Sequence, residues 1–460
     1  MLGQTKHIHL VGIGGIGMSG IAEILLNLGF QVSGSDLSGS DITENLERLG
    51  ATIYIGHDSK FVENTDVVVT SSAIRPSNPE LIAAKAAKIP VIPRAEMLAE
   101  LMRMKKYSVA VAGSHGKTTT TSVLATVLGA AGFDPTVVVG GRVDSIGSNA
   151  RLGEGETFVT EADESDGSFL LLDPTAAVVT NIDLEHLDHY AGMEQLKRTF
   201  LQFINKVPFY GVCILCVDDE NIRAIIPSVR KRLITYGLSK EAEFRATEMT
   251  FDGFNTTFTA MRGKQTIGRV TVPLPGRHMV QNALAVVTVA EELEVPFAIT
   301  AEAIAGFTGV RRRFQRVGEV ADILLIDDYG HHPTEIKATL AAAQTGFDRR
   351  LVVAFQPHRY TRTRDLFDEF LTTFRSADKL FITDIYAASE TPIEGVTAQK
   401  LVDGIRAVGQ QDVEYYPNQE ELLQTLVDTV QPGDLVLTLG AGDLNKLAVR
   451  LLAKLKERHE

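Results

Sequence analysis

Residues 107–132 read YSVAVAGSHGKTTTTSVLATVLGAAG, and this stretch passes from an apolar run through a glycine loop into a helical pattern. Such a loop points backbone N–H groups at phosphate oxygens, and the start of the following helix adds its positive dipole end. The spacing departs from the usual G-x-x-x-x-G-K-T pattern, because Val111 stands at the first glycine position. Lys117 would reach the β- and γ-phosphates, and the Thr118 hydroxyl would help to hold Mg²⁺. The predicted phosphate-binding residues are Gly113, Ser114, His115, Gly116, Lys117, Thr118 and Thr119.

A second glycine turn lies near the N-terminus, in HLVGIGGIGMSG at residues 9–20. Gly12, Gly14 and Gly17 have the spacing of a dinucleotide-binding turn, and Asp36 follows at about the distance of a ribose-binding acid. Taken alone, this pattern fits an NAD-dependent oxidoreductase. The alternative is that this turn holds the diphosphate of a different nucleotide while the loop at Lys117 holds ATP.

Three successive segments share an α/β organisation, in which short apolar runs alternate with helical patterns. This alternation is typical of doubly wound parallel sheets. We predict a Rossmann-like domain over residues 1–105, a P-loop ATPase-type central domain with a mixed sheet over residues 106–310, and a second Rossmann-like domain over residues 311–460. Ligands bind beyond the carboxyl ends of strands in such folds, and most of the unusual polar residues of this chain fall there.

The composition excludes several classes of function. The chain has 460 residues and a net charge of −13, so a general nucleic-acid binder is not expected, because such proteins concentrate positive charge. No apolar run approaches the roughly 20 residues that span a bilayer, and the glycine-broken N-terminus does not resemble a signal peptide. We therefore expect a cytoplasmic protein with neither a nucleic-acid nor a membrane partner.

The two cysteines, Cys213 and Cys216, stand three positions apart in GVCILCVDDE. A zinc site would need two more ligands, and no second Cys/His pair lies nearby in the sequence. We interpret them as two small buried thiols in a β-strand.

Two acidic clusters follow apolar runs of the central segment. Their members are Glu161, Asp163, Glu164 and Asp166 in TEADESDGSF, and Asp183, Glu185, His186 and Asp188 in NIDLEHLDHY. A carboxylate at one strand end and an imidazole at the next can hold Mg²⁺ against a γ-phosphate, since this cation prefers oxygen ligands and keeps positions for phosphates. The alternative is a solvated acidic loop that caps helices. The phosphate loop in the same segment favours the metal site.

Basic and imidazole side chains cluster at strand ends of the third segment. They are Arg311, Arg312 and Arg313 in GVRRRFQ, His331 and His332 in DDYGHHPTE, and His358, Arg359, Arg362 and Arg364 in QPHRYTRTRD. Arginine suits bidentate capture of a carboxylate or phosphate, and histidine can orient a group or relay a proton. For Arg312 and Arg364 a solvated face is an equally good interpretation. Position at strand ends favours function for His331, Arg359 and Arg362.

Together these motifs resemble the Mur ligases of peptidoglycan synthesis. The matching stretches are VGIGGIGMSGIAE, GSHGKTTTT, EADESDGSF, NIDLEHLDHY, GRHMVQNALA, GVRRRFQ, DDYGHHPTEI and QPHRYTRTRDL. The resemblance implies that ATP phosphorylates the lactyl carboxylate of UDP-N-acetylmuramate, and that the amine of L-alanine then attacks the acyl phosphate. A sister ligase that attaches a preformed peptide to the same sugar is the alternative within the family, and the loop GIGGIGMSG favours alanine.

The resemblance also implies residue roles. Lys117, His186, His331 and Arg359 would be catalytic, and Thr118, Glu161 and His186 would hold Mg²⁺ or Mn²⁺. Asn282 would read adenine and Arg313 would contact ATP. The UDP-sugar residues would be Gly14, Gly15, Gly17, Asp36 and Ser72, and the amino-acid residues Tyr329, His331, Arg359 and Arg362. The expected assembly is a monomer or a homodimer.

One position departs from the family pattern. Many relatives carry a modified lysine that supports a second metal, and here Phe200 occupies that place, with Lys197 one turn earlier. The ligands of a second metal are therefore in doubt.

Overall fold

The computed structural model describes residues 5–143, 148–185 and 189–459, which divide into two compact units. The first unit comprises Met1–Thr247, Thr259–Val270 and Gln281–Thr308. The second comprises Glu248–Phe258, Thr271–Val280 and Gly309–Glu460. Three β-sheets organise the chain.

The N-terminal sheet has five strands in the order β3-β2-β1-β4-β5, and its four pairings are all parallel. The strands are β1 (His7–Val11), β2 (Gln31–Asp36), β3 (Thr52–Ile55), β4 (Val67–Thr70) and β5 (Val91–Pro93). The helices are α1 (Ile16–Asn27), α2 (Asp41–Arg48), α3 (Pro79–Ala86) and α4 (Arg94–Arg103). The strand order reverses between β1 and β4, so the glycine turn after β1 opens at the switch point where such sheets bind ligands.

The central sheet has ten strands in the order β15-β14-β13-β12-β11-β10-β6-β9-β7-β8. Its strands are β6 (Tyr107–Ala112), β7 (Thr136–Val143), β8 (Ser148–Arg151), β9 (Thr157–Glu161), β10 (Ala176–Val179), β11 (Val212–Cys216), β12 (Leu233–Gly237), β13 (Phe244–Asp252), β14 (Asn255–Arg262) and β15 (Gln265–Val272). Its helices are α5 (Lys117–Ala130), α6 (Met193–Ile204), α7 (Glu220–Ile225), α8 (Arg277–Glu292) and α9 (Phe297–Ala305).

The middle strands of this sheet pair in parallel, whereas β7 and β8 are antiparallel. Two-residue turns join β13, β14 and β15 in succession, and connections of that length link antiparallel strands. The mixed sheet predicted for this segment is therefore found.

The C-terminal sheet has six strands in the order β16-β17-β21-β18-β19-β20, and only the β16–β17 pairing is antiparallel. Its strands are β16 (Gln315–Val320), β17 (Ile323–Asp328), β18 (Arg350–Phe355), β19 (Lys379–Ile382), β20 (Val413–Tyr415) and β21 (Asp434–Leu439). Its helices are α10 (Pro333–Gly346), α11 (Tyr360–Asp365), α12 (Phe367–Phe370), α13 (Ala398–Ala407), α14 (Gln419–Thr429) and α15 (Asn445–His459).

Alternation along the C-terminal strands builds a core on each face of the sheet. In β17, Leu324 and Ile326 belong to one buried cluster, while Ile323 and Leu325 belong to the other. Successive side chains of a strand point to opposite faces, so an unbroken apolar run marks a strand covered on both sides. The segment after β18 forms two short helices instead of one, because Leu366, with a φ of −110° and a ψ of 20°, leaves helical geometry between α11 and α12.

Strand β11 confirms the interpretation of the two cysteines. Cys213 and Cys216 are free and buried, and burial raises the pKa of each thiol to about 12. In the described parts of the chain, none of the helices has both the length and the apolar character that a membrane span requires.

Candidate active site

The loop between β6 and α5 has backbone geometry that two of its glycines make possible. Gly113 has a φ of +133° and Gly116 a φ of +83°, values that side chains on other residues disfavour. A Cβ at Gly113 would overlap the Thr180 hydroxyl, and one at Gly116 would lie 2.7 Å from the Asn282 Oδ1. Val111 is a buried residue of β6, so the departure from the usual motif falls inside the strand.

The segment after β10 holds the loop in place. The Ser114 hydroxyl accepts from the Asp183 amide at 2.8 Å, and the His115 amide donates to Asn181 Oδ1 at 2.8 Å. The imidazole Nε2 of His115 lies 2.9 Å from Asp183 Oδ2. The Ser114 and His115 amides both donate to Asn181, whereas the first amides of α5 have no intrahelical acceptor, as at the start of any helix.

Lys117 places its ammonium group inside this loop. It donates to the carbonyl oxygens of Gly113 at 2.5 Å and Ser114 at 3.1 Å, and to both carboxylate oxygens of Glu164. Burial alone would lower the pKa of Lys117, but the Glu164 and Asp163 carboxylates outweigh it and raise that pKa. The side chain is thus a fixed positive charge at the start of a helix.

Oxygen donors for a divalent metal lie at the same edge of the sheet. Glu161 ends β9 opposite Val111 of β6, and its carboxylate accepts from the Gly140 amide at 2.7 Å. Thr118 is the second residue of α5. A hydroxyl and a carboxylate at one sheet edge fit the hard-donor preference of Mg²⁺. His186 lies outside the described residues.

Thr119, Thr120 and Thr121 turn inward. All three are buried, with Thr121 fully inaccessible. Packing in the core therefore explains why threonines follow Thr118. The Thr119 side chain is not exposed, so Thr119 would contribute to the loop only through its backbone in the first turn of α5.

The N-terminal glycine turn is organised by Asp36. One carboxylate oxygen accepts from the Gly14 amide at 2.9 Å, and the other accepts from the Leu37 amide at 2.8 Å. A Cβ at Gly14 would lie 2.8 Å from Asp36 Oδ2. Gly15 is the residue before α1, so the turn leads directly into a helix start. Ser72 is exposed two residues beyond β4.

Arg94 is a cation near this turn that the sequence interpretation missed. Gly17 is close enough that an added Cβ would lie 2.8 Å from Arg94 Nη1. The same guanidinium lies 3.6 Å from the Asp163 carboxylate of the central sheet. Asn149 also donates to the Ser19 hydroxyl of α1 at 3.3 Å. Arg94 of α4 therefore lies between the start of α1 and the acidic segment after β9, and α1 itself contacts the strand β8.

The C-terminal unit assembles an aromatic and imidazole group after β17. His331 Nδ1 donates to the Tyr329 carbonyl at 3.0 Å and lies 3.3 Å from the Glu335 carboxylate. The guanidinium groups of Arg312 and Arg313 lie 5.0 and 5.2 Å from the centre of the Tyr329 ring. These distances are within the range of cation–π attraction. Arg312 therefore packs against the Tyr329 ring and pairs with Asp327.

The loop after β18 adds His358 to the same cluster of aromatic and imidazole side chains. The ring of His358 lies 5.7 Å from that of His331 and stacks on Tyr386 at 5.5 Å. Arg362 Nη1 lies 3.2 Å from His358 Nδ1, and burial together with neighbouring cations lowers the pKa of His358 to about 3. Arg359 has a φ of +70°, and its amide donates to the Tyr386 carbonyl at 2.8 Å.

Sequence reasoning overlooked Tyr386 because its signal, a tyrosine after the strand KLFITD, is weak. Its position becomes visible only when β19 is paired with β18.

Asp328, the last residue of β17, is buried in this unit. Its carboxylate accepts from the Phe314 and Gly330 amides, and burial raises its pKa to about 6.

Phe200, at the position of the family's modified lysine, is a core residue. It is fully buried, and its ring lies 5.3 Å from that of Phe169. Lys197 pairs with Glu194 on the same helix. Neither arrangement supplies a ligand for a second metal.

Three family models match the chain in order. They are the Mur ligase family catalytic domain over residues 7–106, the Mur ligase middle domain over residues 111–290, and the Mur ligase glutamate ligase domain over residues 312–442. The chain therefore belongs to the Mur ligase family. The predicted three-domain α/β fold is confirmed, while the boundaries near residues 105 and 310 stay predictions.

Curated relatives of similar length are named UDP-N-acetylmuramate–L-alanine ligase. The UDP-N-acetylmuramate–L-alanine ligase of Geobacter sp. (strain M21) is 57% identical over 100% of both chains. That of Geotalea uraniireducens (strain Rf4) is 59% identical over 99% of both. The crystal structure of the UDP-N-acetylmuramate-alanine ligase from Thermotoga maritima superposes with a TM-score of 0.83 at 28% identity, covering 98% of this chain and 99% of that one.

Proposed function

We propose that this protein joins L-alanine to the lactyl carboxylate of UDP-N-acetylmuramate, with conversion of ATP to ADP and phosphate. Similarity along the whole chain to L-alanine ligases carries this proposal. The sequence prediction of an amide-bond-forming ligase agrees with these relatives. The oxidoreductase interpretation of the N-terminal glycine turn is less supported, because the curated relatives described above are named as ligases.

The chemistry requires activation of a poor acylating agent. A free carboxylate does not react with an amine, so phosphorylation supplies the leaving group, and the alanine nitrogen then attacks the carbonyl carbon of the acyl phosphate. A tetrahedral intermediate collapses with loss of phosphate. The protein mainly positions the reactants and neutralises developing charge.

Lys117 is assigned to the transferring phosphoryl group. Its ammonium is charged, enclosed by the Gly113 and Ser114 carbonyls, and adjacent to the start of α5. An ammonium that donates to loop carbonyls in the free protein can transfer those hydrogen bonds to phosphate oxygens when a nucleotide binds. Asn282, whose side-chain oxygen lies against Gly116, is assigned to adenine, and Arg313 to ATP.

Thr118 and Glu161 would hold a divalent metal, which we assign as Mg²⁺ with Mn²⁺ as a substitute, together with His186. Such an ion supplies neutralisation of phosphate charge when it is bound. The Gly140 amide donates to the Glu161 carboxylate and fixes its orientation, which supports this assignment.

The N-terminal turn is assigned to the diphosphate of the UDP sugar. Gly14, Gly15 and Gly17 lead into α1, whose positive end favours phosphate. Asp36 ends β2 and Ser72 follows β4, and these are the two strands that flank β1. Because Asp36 already accepts two amides, we assign it to shaping the turn as well as to the ribose.

The C-terminal group is assigned to L-alanine. Arg359 and Arg362 would pair with the amino-acid carboxylate, and Tyr329 would line the site beside them. With its Nδ1 donating to the Tyr329 carbonyl, a neutral His331 presents Nε2 as the proton-accepting atom, and Glu335 would stabilise the protonated ring. We therefore assign to His331 the proton that the alanine ammonium must lose.

The test is phosphate release from ATP and Mg²⁺ with UDP-N-acetylmuramate, with L-alanine in one reaction and a muramyl-type tripeptide in another. We expect release that depends on both the sugar and alanine. Release with the tripeptide alone would instead assign the protein to the peptide-attaching branch. No release in either reaction would contradict the proposal. The cytoplasmic location, the absence of nucleic-acid and membrane partners, and a monomeric or homodimeric state stay predictions.

A further inference from the structure

Arg359, which is assigned to the alanine carboxylate, has a backbone conformation that residues other than glycine rarely adopt. Its φ is +70° and its ψ is 139°. A side chain is strained in this region, and residues are held there only where neighbouring contacts fix them. Such contacts are present on both sides of Arg359. Its amide donates to the Tyr386 carbonyl at 2.8 Å, and its carbonyl accepts from the Thr363 amide at 3.2 Å and the Thr363 hydroxyl at 2.9 Å.

The helix that follows Arg359 begins without a cap from its own N-terminal residue. The first amides of a helix have no intrahelical acceptor, and the side chain of the residue before the helix usually accepts from one of them. In α11 that residue is Arg359, whose guanidinium has donors only. Arg359 accordingly makes no capping hydrogen bond.

Glu390, from the loop after β19, caps α11 instead. One of its carboxylate oxygens accepts from the Thr361 amide at 3.0 Å, and the other accepts from the Thr361 hydroxyl at 2.6 Å. Thr361 is the second residue of α11, so its amide is one that a capping side chain ordinarily engages. The start of α11 therefore depends on a carboxylate that comes from a different segment of the C-terminal unit.

The same loop contacts the segment before α11 at a second point. The Tyr386 amide donates to the Pro357 carbonyl at 2.8 Å, and the Tyr386 carbonyl accepts from the Arg359 amide, so His358 and Tyr386 form a parallel bridge. The rings of these two residues also stack, with 9° between their planes. Contacts from the loop after β19 thus hold the chain on both sides of Arg359.

The backbone just before Glu390 is itself constrained. Ala388 has a φ of +48° and Ser389 a φ of +69°, and the Glu390 amide donates to the Ala387 carbonyl at 2.9 Å. Two successive residues other than glycine with positive φ are unfavourable in isolation. They turn the chain between Tyr386 and Glu390, the two residues through which the loop contacts the segment that contains Arg359.

We propose that Glu390 is a positioning residue for the amino-acid site, which caps α11 and thereby holds Arg359 where its side chain pairs with the alanine carboxylate. This inference rests on the proposed function, which supplies alanine as the substrate. Glu390 acts through Thr361 and has no contact of its own with the substrate. Without this cap, Arg359 relaxes toward an ordinary backbone conformation, which moves its guanidinium and weakens the binding of alanine.

The experiment is steady-state kinetics of the full-length protein with varied alanine and with ATP and the UDP sugar at saturation. We expect Glu390→Ala to raise the KM for alanine about five- to tenfold, the size of one net hydrogen bond. The kcat should stay within about twofold, a split that general unfolding would not produce. Glu390→Gln should restore most of the affinity, because an amide group can accept from the Thr361 amide and donate to its hydroxyl. Glu394→Ala is the matched control, since Glu394 is exposed in the same connection between β19 and α13.

The double variant Arg359→Ala/Glu390→Ala tests the route of the effect. If Glu390 acts only through Arg359, the double variant should have the alanine KM of Arg359→Ala within about twofold. A residue with its own contact to the substrate would add its own factor, so the two increases would multiply. Thr361→Val removes the hydroxyl that donates to Glu390 and should raise the alanine KM about two- to threefold, which tests the same contact if Glu390→Ala does not fold.

A folded Glu390→Ala variant with the alanine KM of the unmodified protein would overturn the inference, as would increases that multiply in the double variant. Urea unfolding of each variant establishes that it is folded. An unmodified protein that releases no phosphate with alanine would refute the proposed function and the inference with it. Turnover of the unmodified protein therefore tells the two failures apart.

Discussion

Lys117 Nζ lies 2.9 and 2.8 Å from the two carboxylate oxygens of Glu164, and this pair joins the phosphate loop to the acidic segment after β9. Glu164 is fully buried, and the Lys117 ammonium that contacts both of its oxygens favours the ionised carboxylate and opposes the rise in pKa that burial causes. The loop is therefore held by an ion pair whose positive member is also the candidate phosphate-binding group.

Lys117→Met separates the structural and chemical roles of this lysine. We expect ADP formation to fall by about 10²-fold or more, because a preorganised charge at the transferring phosphate is lost. We also expect destabilisation of about 3 kcal/mol, because a buried carboxylate is left without its partner. Urea unfolding and a coupled ADP assay measure the two effects.

The double variant Lys117→Met/Glu164→Gln separates the loss of stability from the loss of activity. It should recover most of the lost stability, since no buried charge remains, and recover none of the activity. Lys60→Ala, at an exposed ion pair with Asp58, is the control and should change neither. Near-normal turnover in Lys117→Met would contradict the assignment of the phosphate loop.

Gly14→Ala tests the N-terminal turn. The new methyl group would lie 2.8 Å from the Asp36 carboxylate. It would displace that carboxylate from the backbone amide of residue 14, which now donates to it. We expect the Kd for UDP-N-acetylmuramate to rise about tenfold, or roughly 1.4 kcal/mol, in a calorimetric titration. Gly39→Ala, where an added Cβ meets nothing within 4 Å, should bind normally. Equal affinities for the two variants would remove the turn from the sugar site.

Arg359→Ala tests the amino-acid site. Loss of a charge-assisted contact with the alanine carboxylate should raise the KM for alanine by roughly 10- to 100-fold, since such contacts contribute about 1.5–3 kcal/mol. Arg364→Ala is the matched control, because Arg364 is exposed and pairs with Asp365. Steady-state kinetics with varied alanine measure both. An alanine KM that Arg359→Ala leaves unchanged would place this residue outside the site.

His278 should make the protein less stable in acid. Burial, with a smaller contribution from Arg313, lowers its pKa from 6.5 to about 4. Between these values the unfolded chain binds a proton that the folded protein does not, so stability is full above pH 6.5 and decreases as pH falls toward 4. The loss is at most about 3 kcal/mol.

Urea unfolding of the unmodified protein and of His278→Gln at pH 8 and pH 5 measures this effect. The variant lacks the titrating ring, so its stability should change less between the two pH values. An identical pH dependence in the two proteins would show that His278 is not the group responsible.

The two thiols of β11 should be chemically inert in the folded protein. A pKa of about 12 leaves almost no thiolate at pH 8, and both side chains are buried. We expect no reaction with a disulfide reagent under native conditions and reaction of both thiols in denaturant. Rapid labelling of the native protein would contradict this burial.

Local patterns allowed much of the fold to be predicted. The strand–loop–helix at Lys117 and the glycine turn at Gly14 are each contiguous in sequence, and hydrophobic periodicity marks the flanking elements. Residues whose role depends on a partner distant in the chain were predicted less well. Glu164 was grouped with metal-binding acids because its partner Lys117 is visible only when β9 lies beside β6.

The sequence by itself determined the α/β class, the two glycine turns and the basic strand ends, because these depend on residue types at short, regular spacings. Only the tertiary structure decided that Glu80 unites His9, Ser35 and His57, that Arg94 reaches the turn at Gly17, and that Tyr386 stacks on His358. Parallel strands bring the ends of distant segments to one edge, and the strand order that selects the neighbours at that edge depends on packing of the whole sheet rather than on any local pattern.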